Sequence, residues 1–158
     1  MKRKIYDRLL EWKNNRQGEV ALLIEGARRI GKSYIVEEFA RNEYESYILI
    51  DFNKVEPRVK RWFSDYMEDL DTFFEMLQQH YHVKLIPRKS VIIFDEVQLY
   101  PRARAAIKYL VADRRFDYLE TGSLISIRSN VKNIVIPSPK ETLQNPSGTF
   151  QWLVLRTE

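Results

Sequence analysis

The chain contains no cysteine. Disulfide scaffolds and cysteine-ligated zinc sites are therefore excluded. No apolar run approaches the roughly 18 residues of a membrane-spanning helix. The basic opening, MKRKIYDRLLEWK, lacks the long apolar stretch of a signal peptide. The expectation is a soluble, cytoplasmic protein with no membrane partner. Charge of one sign is also scarce. Twenty-six basic against 22 acidic residues leave +4, too little to argue for nucleic-acid binding. There is no internal repeat and no low-complexity tract. The two histidines, His80 and His82, stand at i and i+2 near a helix end. Those positions do not share a helix face, so they do not form a joint metal site.

Apolar residues make up 44% of the 158, enough to build one packed core in a single domain. Residues 4–14 read as a helix with Ile5, Tyr6, Leu9 and Leu10 on one face. VALLI (20–24), YILIDF (47–52) and VIIF (91–94) are apolar runs too short for helices and suit strands covered on both faces. FDYLET (116–121) is a weaker fourth strand and NIVIP (133–137) a fifth. Between them, Ile35, Val36, Phe39 and Ala40 repeat at helical spacing, as do Val59, Trp62, Phe63, Tyr66 and Met67. Thr72 and Glu75 match a capping box opening a helix through about Tyr81, and Pro101 opens a helix carrying Ile107, Leu110 and Val111. Strands alternating with helices indicate an α/β domain with a mainly parallel sheet.

Glycine is sparse, and two of the five fall in one stretch, IEGARRIGKSY. The spacing from Gly26 to Gly31, Lys32 and Ser33 is G-x-x-x-x-G-K-S, the phosphate-binding loop pattern, and it lies between a strand and a helix. Gly26 and Gly31 let the backbone turn tightly and aim N–H groups inward. Ala27, Arg28, Arg29 and Ile30 form the span of that loop, and Tyr34 closes the first helical turn. The helix starting near Lys32 adds its positive end. Lys32 would reach the β- and γ-phosphates, and the Ser33 hydroxyl would bind Mg²⁺.

Such a loop needs a second metal contact, and VIIFDEVQ supplies it. Asp95 ends a buried strand where α/β sheets bind ligands and would hold Mg²⁺. Glu96, one step on, can deprotonate a water attacking the γ-phosphate. A small-molecule kinase must exclude water, so that glutamate is unexpected there. A GTPase needs an Asn-Lys-x-Asp guanine reader, and the nearest match, NKVE (53–56), ends in Glu and sits too early. ATP, hydrolysed to ADP, is the expected ligand. In LETGSLISIR (119–128), Thr121 and Ser123 are hydroxyls placed to sense the γ-phosphate or the water; the alternative is a turn capping the next helix. Arg128 would serve as an arginine finger for a neighbouring subunit or stand as a plain surface residue. Glu120, a carboxylate inside a strand expected to be buried, would pair with Arg28, Arg29 or Lys32, or else the register shifts by one.

Together, YDRLLEWK, GARRIGKS, IIFDEVQ and LETGSL resemble prokaryotic ATP-binding proteins of the AAA class, in the additional-strand, catalytic-glutamate branch of P-loop ATPases. The resemblance runs from about Ile5 to Ser138. It implies a three-layer αβα sandwich with a five-stranded sheet of order 5-1-4-3-2, ATP and Mg²⁺ on Lys32, Ser33, Asp95 and Glu96, and the first sensor at Thr121–Ser123. Gln98 matches a polar position that often follows the acidic pair. The expected organisation is an ATPase core over 1–138 and an atypical tail over 139–158, with the lid and C-terminal domain of such proteins missing. TFQWLVL, in that tail, reads as a strand with no obvious partner. Without a lid, the chain would be either an ATPase of weak turnover or a nucleotide-loaded interaction module. A homo-oligomeric or protein partner fits both. A nucleic-acid partner has only PRVKRWF (57–63) and the basic helix at 102–115 in its favour, and no reading motif. Tyr6 and Trp12 would either border the adenine or pack on the sheet.

Overall fold

A computed structural model describes residues 2–26, 31–123 and 152–157. The elements run α1 (Lys2–Arg16), β1 (Ala21–Gly26), α2 (Lys32–Glu43), β2 (Ser46–Asp51), α3 (Pro57–Asp65), α4 (Leu70–Tyr81), β3 (Ser90–Asp95), α5 (Pro101–Asp113), β4 (Asp117–Ser123) and β5 (Trp152–Thr157). A single 3₁₀ turn, Val97–Leu99, joins β3 to α5.

The strands form one sheet of order β2-β3-β4-β1-β5, every pair parallel. Read from the other edge, this is the expected 5-1-4-3-2. β1, β3 and β4 are buried along their whole length, as central strands of a covered parallel sheet must be. β2 alternates between buried and half-buried positions, which suits an edge.

Two apolar clusters sandwich the sheet. On one face Leu9 and Trp12 of α1 and Ile35, Val36, Phe39 and Ala40 of α2 cover Leu22, Ile24, Val91, Ile93 and Leu119. On the other, α3, α4 and α5 cover Leu23, Ile48, Ile50, Ile92, Phe94 and Tyr118. Trp12 donates its indole N–H to the Val20 carbonyl at 2.8 Å, and Tyr6 meets Phe39 edge-on with centroids 5.3 Å apart. Both aromatic residues therefore serve packing.

Two sequence expectations change. The α4 cap is Asp69, not Thr72: the Asp69 carboxylate accepts from the Thr72 N–H at 3.2 Å and from its hydroxyl at 2.6 Å. The helix starts one turn earlier because an ionised carboxylate satisfies its orphan amides well. The segment read as partnerless, TFQWLVL, supplies β5, which pairs with β1 from Ala21↔Trp152 to Gly26↔Thr157. NIVIP, expected to be the fifth strand, lies outside the described residues, as does Arg128.

Candidate active site

The parallel sheet points the carboxyl ends of all its strands to one edge. Register puts Gly26 beside Ser123 and Asp51 beside Asp95, with Thr121 one step past the partner of Phe94. Residues far apart in sequence therefore converge there without any long loop.

Gly31 opens α2 with φ 80° and ψ 20°, a left-handed conformation that favours glycine. A Cβ built on it would meet nothing within 4 Å, so open space lies over the helix start. Among the described residues, no side chain caps this end, and no acidic residue stands in the first turn. The positive end of its dipole is suited to an anion. Ala27, Arg28, Arg29 and Ile30 are outside the described residues. Tyr34 stands exposed in the first turn of α2.

Lys32 is only 5% exposed, and its ammonium donates to the Gly26 carbonyl at 3.1 Å. Burial pushes its pKa down from the ordinary lysine value, while the Glu96 and Asp95 carboxylates pull it back up. The Ser33 hydroxyl donates to Asp95 Oδ1 at 2.7 Å across 62 residues of sequence. The Thr121 hydroxyl donates to the same oxygen at 2.5 Å and accepts from the Glu96 N–H at 3.0 Å. Asp95 is thus held by two hydroxyls. Burial nevertheless raises its pKa, and the neighbouring Asp51 and Glu96 carboxylates raise it further against the two hydrogen bonds. A hard divalent cation between Ser33 and Asp95 would relieve that repulsion, and an oxygen-only donor set of hydroxyl and carboxylate fits Mg²⁺.

Glu96 adopts φ 56° and ψ 48°, left-handed and uncommon for a non-glycine residue. Its Oε2 accepts from the Gln98 amide at 2.5 Å, and Gln98 is buried. Ser123 is buried at the end of β4. The structure therefore gathers Gly26, Gly31, Lys32, Ser33, Asp95, Glu96, Thr121 and Ser123 at one edge.

Two features were not foreseen. Asp51 adds a carboxylate beside Asp95; its place at the end of a strand-like run was the available signal. Glu120 has a partner that was not among those expected; Arg28 and Arg29 lie outside the described residues. It is fully buried against Arg104 of α5, Nη1 to Oε2 at 3.4 Å, and Arg104 is fully buried too. Arg104, Ile107 and Val111 share one helix stripe at i, i+3 and i+7, and an arginine in an apolar stripe was the readable sign.

Among the described residues, no helix is long and apolar enough to cross a membrane. No curated protein matches the chain. Solved structures do. A chain from the structure of Drosophila ORC bound to AT-rich DNA and Cdc6 superposes with a TM-score of 0.54 at 13% identity, covering 84% of this chain. The match spans 49% of that chain, about half its length. A chain from the structure of Drosophila ORC bound to DNA gives a TM-score of 0.52 at 12% identity, covering 99% of this chain and 94% of that one. At such identities the likeness is one of fold. The AAA domain family matches residues 19–135, from the turn before β1 through β4 and beyond. By that match over most of its length, the chain belongs to the AAA domain family.

Proposed function

We propose that the chain binds ATP with Mg²⁺ and hydrolyses it by direct attack of water on the γ-phosphate. The observation that carries this reading is the meeting of Ser33 and Asp95 at 2.7 Å beside the buried Lys32. Structural packing alone does not require an aspartate and a lysine to be buried beside a half-buried serine at a helix start.

In this reading the amides from Gly26 to Tyr34 and the Lys32 ammonium hold the phosphates, so Lys32 exchanges the Gly26 carbonyl for phosphate oxygens. Ser33 and Asp95 hold the metal. When bound, Mg²⁺ neutralises phosphate charge as it develops. Glu96 accepts the proton of the attacking water at its carboxylate. Thr121 fixes the relative position of Asp95 and Glu96, and Ser123 faces the start of the loop. Arg128 is assigned as a finger toward a neighbouring copy's nucleotide.

Ligand-induced stabilisation tests binding. MgATP at about 100 times its Kd should stabilise the fold by about 2.7 kcal/mol. At about 2–4 °C per kcal/mol for a domain of this size, Tm rises by several degrees. A Tm unmoved by MgATP at any concentration up to millimolar would end the proposal.

Gln98 is assigned to aim the Glu96 carboxylate. Gln98→Glu would set two carboxylates at a distance where both cannot ionise, so the pair keeps a proton to higher pH. The acid limb of the pH–rate profile should move up by about one unit or more, with turnover recovering toward the parental rate at alkaline pH. An unmoved acid limb would remove Gln98 from the site.

A further inference from the structure

Arg104 leads the fully buried side chains of the described residues in size, and two fully buried carboxylates lie on the sheet face it covers. Glu120 is its partner on β4. Leu23 is the register partner of Glu120, and Glu25 stands two residues further along β1, so the pleat puts Glu25 on the same face. Directly opposite Glu25 is Gly122 on β4, which has no side chain, and on the other flank the register position belongs to Arg156 of β5. A buried ion pair is a weak source of stability, because apolar residues of similar volume do as well or better. Location distinguishes this one. Glu25 immediately precedes Gly26, whose carbonyl receives Lys32. Glu120 immediately precedes Thr121, which holds Asp95 and the Glu96 amide. Arg104 lies in the first turns of the helix entered directly from Glu96 through the 3₁₀ turn.

We infer that Arg104 is a positioning residue: its buried pairing with Glu120 clamps the Glu96–Tyr100 segment to the strands that carry Gly26 and Thr121. The left-handed Glu96 needs such a restraint. Its segment is also tied by the Glu96 N–H to Thr121, the Gln98 amide to the Glu96 carboxylate, the Leu99 N–H to the Glu96 carbonyl at 3.0 Å, the Tyr100 N–H to the Val97 carbonyl at 3.1 Å and the Tyr100 hydroxyl to the Lys60 carbonyl at 3.0 Å; the buried pair adds a tie from the next helix to β4. The effect on turnover rests on the ATPase reading above; the restraint itself does not.

Hydrogen exchange on the nucleotide-free protein is therefore the primary test. Two variants are compared with the parent: Glu120→Gln, which keeps shape and removes charge, and Arg104→Met with Glu120→Met, which replaces the pair by apolar volume. In either, the amides of residues 96–100 should exchange about tenfold faster while those of residues 74–78 in α4 stay unchanged, which separates local release from global loosening. ATP affinity should remain within about twofold, and turnover should fall about tenfold or more as Glu96 drifts. Parental exchange at 96–100 in both variants overturns the clamp, whatever turnover does. Faster exchange there with no turnover in the parent itself would sustain the clamp and refute the ATPase reading instead.

Discussion

Glu96→Gln is expected to lower phosphate release by about 10²–10⁴-fold while leaving ATP affinity within about twofold, because general acid–base catalysis contributes on that order. That loss corresponds to about 3–5 kcal/mol of barrier. The substitution keeps the shape of the side chain, and the bond from Gln98 survives because an amide oxygen still accepts. What disappears is the ability to take a proton. Steady-state phosphate release with ATP affinity measured separately decides the matter. Parental turnover in the variant would show that another group activates the water, or that none is needed.

Lys32→Ala should behave differently, and the sign of its effect on the ligand-free fold is diagnostic. Each charge-assisted hydrogen bond lost to phosphate is worth about 1.5–3 kcal/mol, so losing the ammonium should weaken ATP about 10²-fold or more. The ligand-free protein should not suffer equally. Burial lowers the Lys32 pKa, which means that folding penalises the charged form. That penalty is present while the lysine is protonated at neutral pH and fades as pH rises through its folded value. Alanine removes the penalty together with the bond to the Gly26 carbonyl and the attraction of the Glu96 and Asp95 carboxylates. Tm without ligand should therefore hold or rise while the shift caused by MgATP vanishes. A parallel fall of both would mean that Lys32 is a structural residue.

Much of this was legible in the sequence for a physical reason. β1 and β3 are central parallel strands buried on both faces, so they read as unbroken apolar runs. The loop and the acidic pair sit at the ends of those runs, and a parallel sheet brings such ends together automatically. β4 was fainter because Asp117, Glu120 and Thr121 interrupt it, each with a partner elsewhere. Asp117 is nearly buried but accepts from the Tyr44 hydroxyl at 2.6 Å. The partner of Glu120 lies in a different layer, and neither spacing nor periodicity reveals a contact across layers. The cap was assigned to Thr72 rather than Asp69 because both stand before the same apolar run and the box spacing pointed to Thr72. β5 could not be placed because edge-strand membership is decided by pairing with β1, a non-local event.

That non-local pairing carries a consequence for biosynthesis. β1 leaves the ribosome before both of its neighbours, β4 and β5, which are encoded later. A nascent chain that has just completed α5 can already zip β2 to β3, while β1 has no flanking strand at all. β1 therefore gains its flanking strands only after β4 and β5 have been made, and until then the hydrophobic strand is exposed to aggregation and to chaperones.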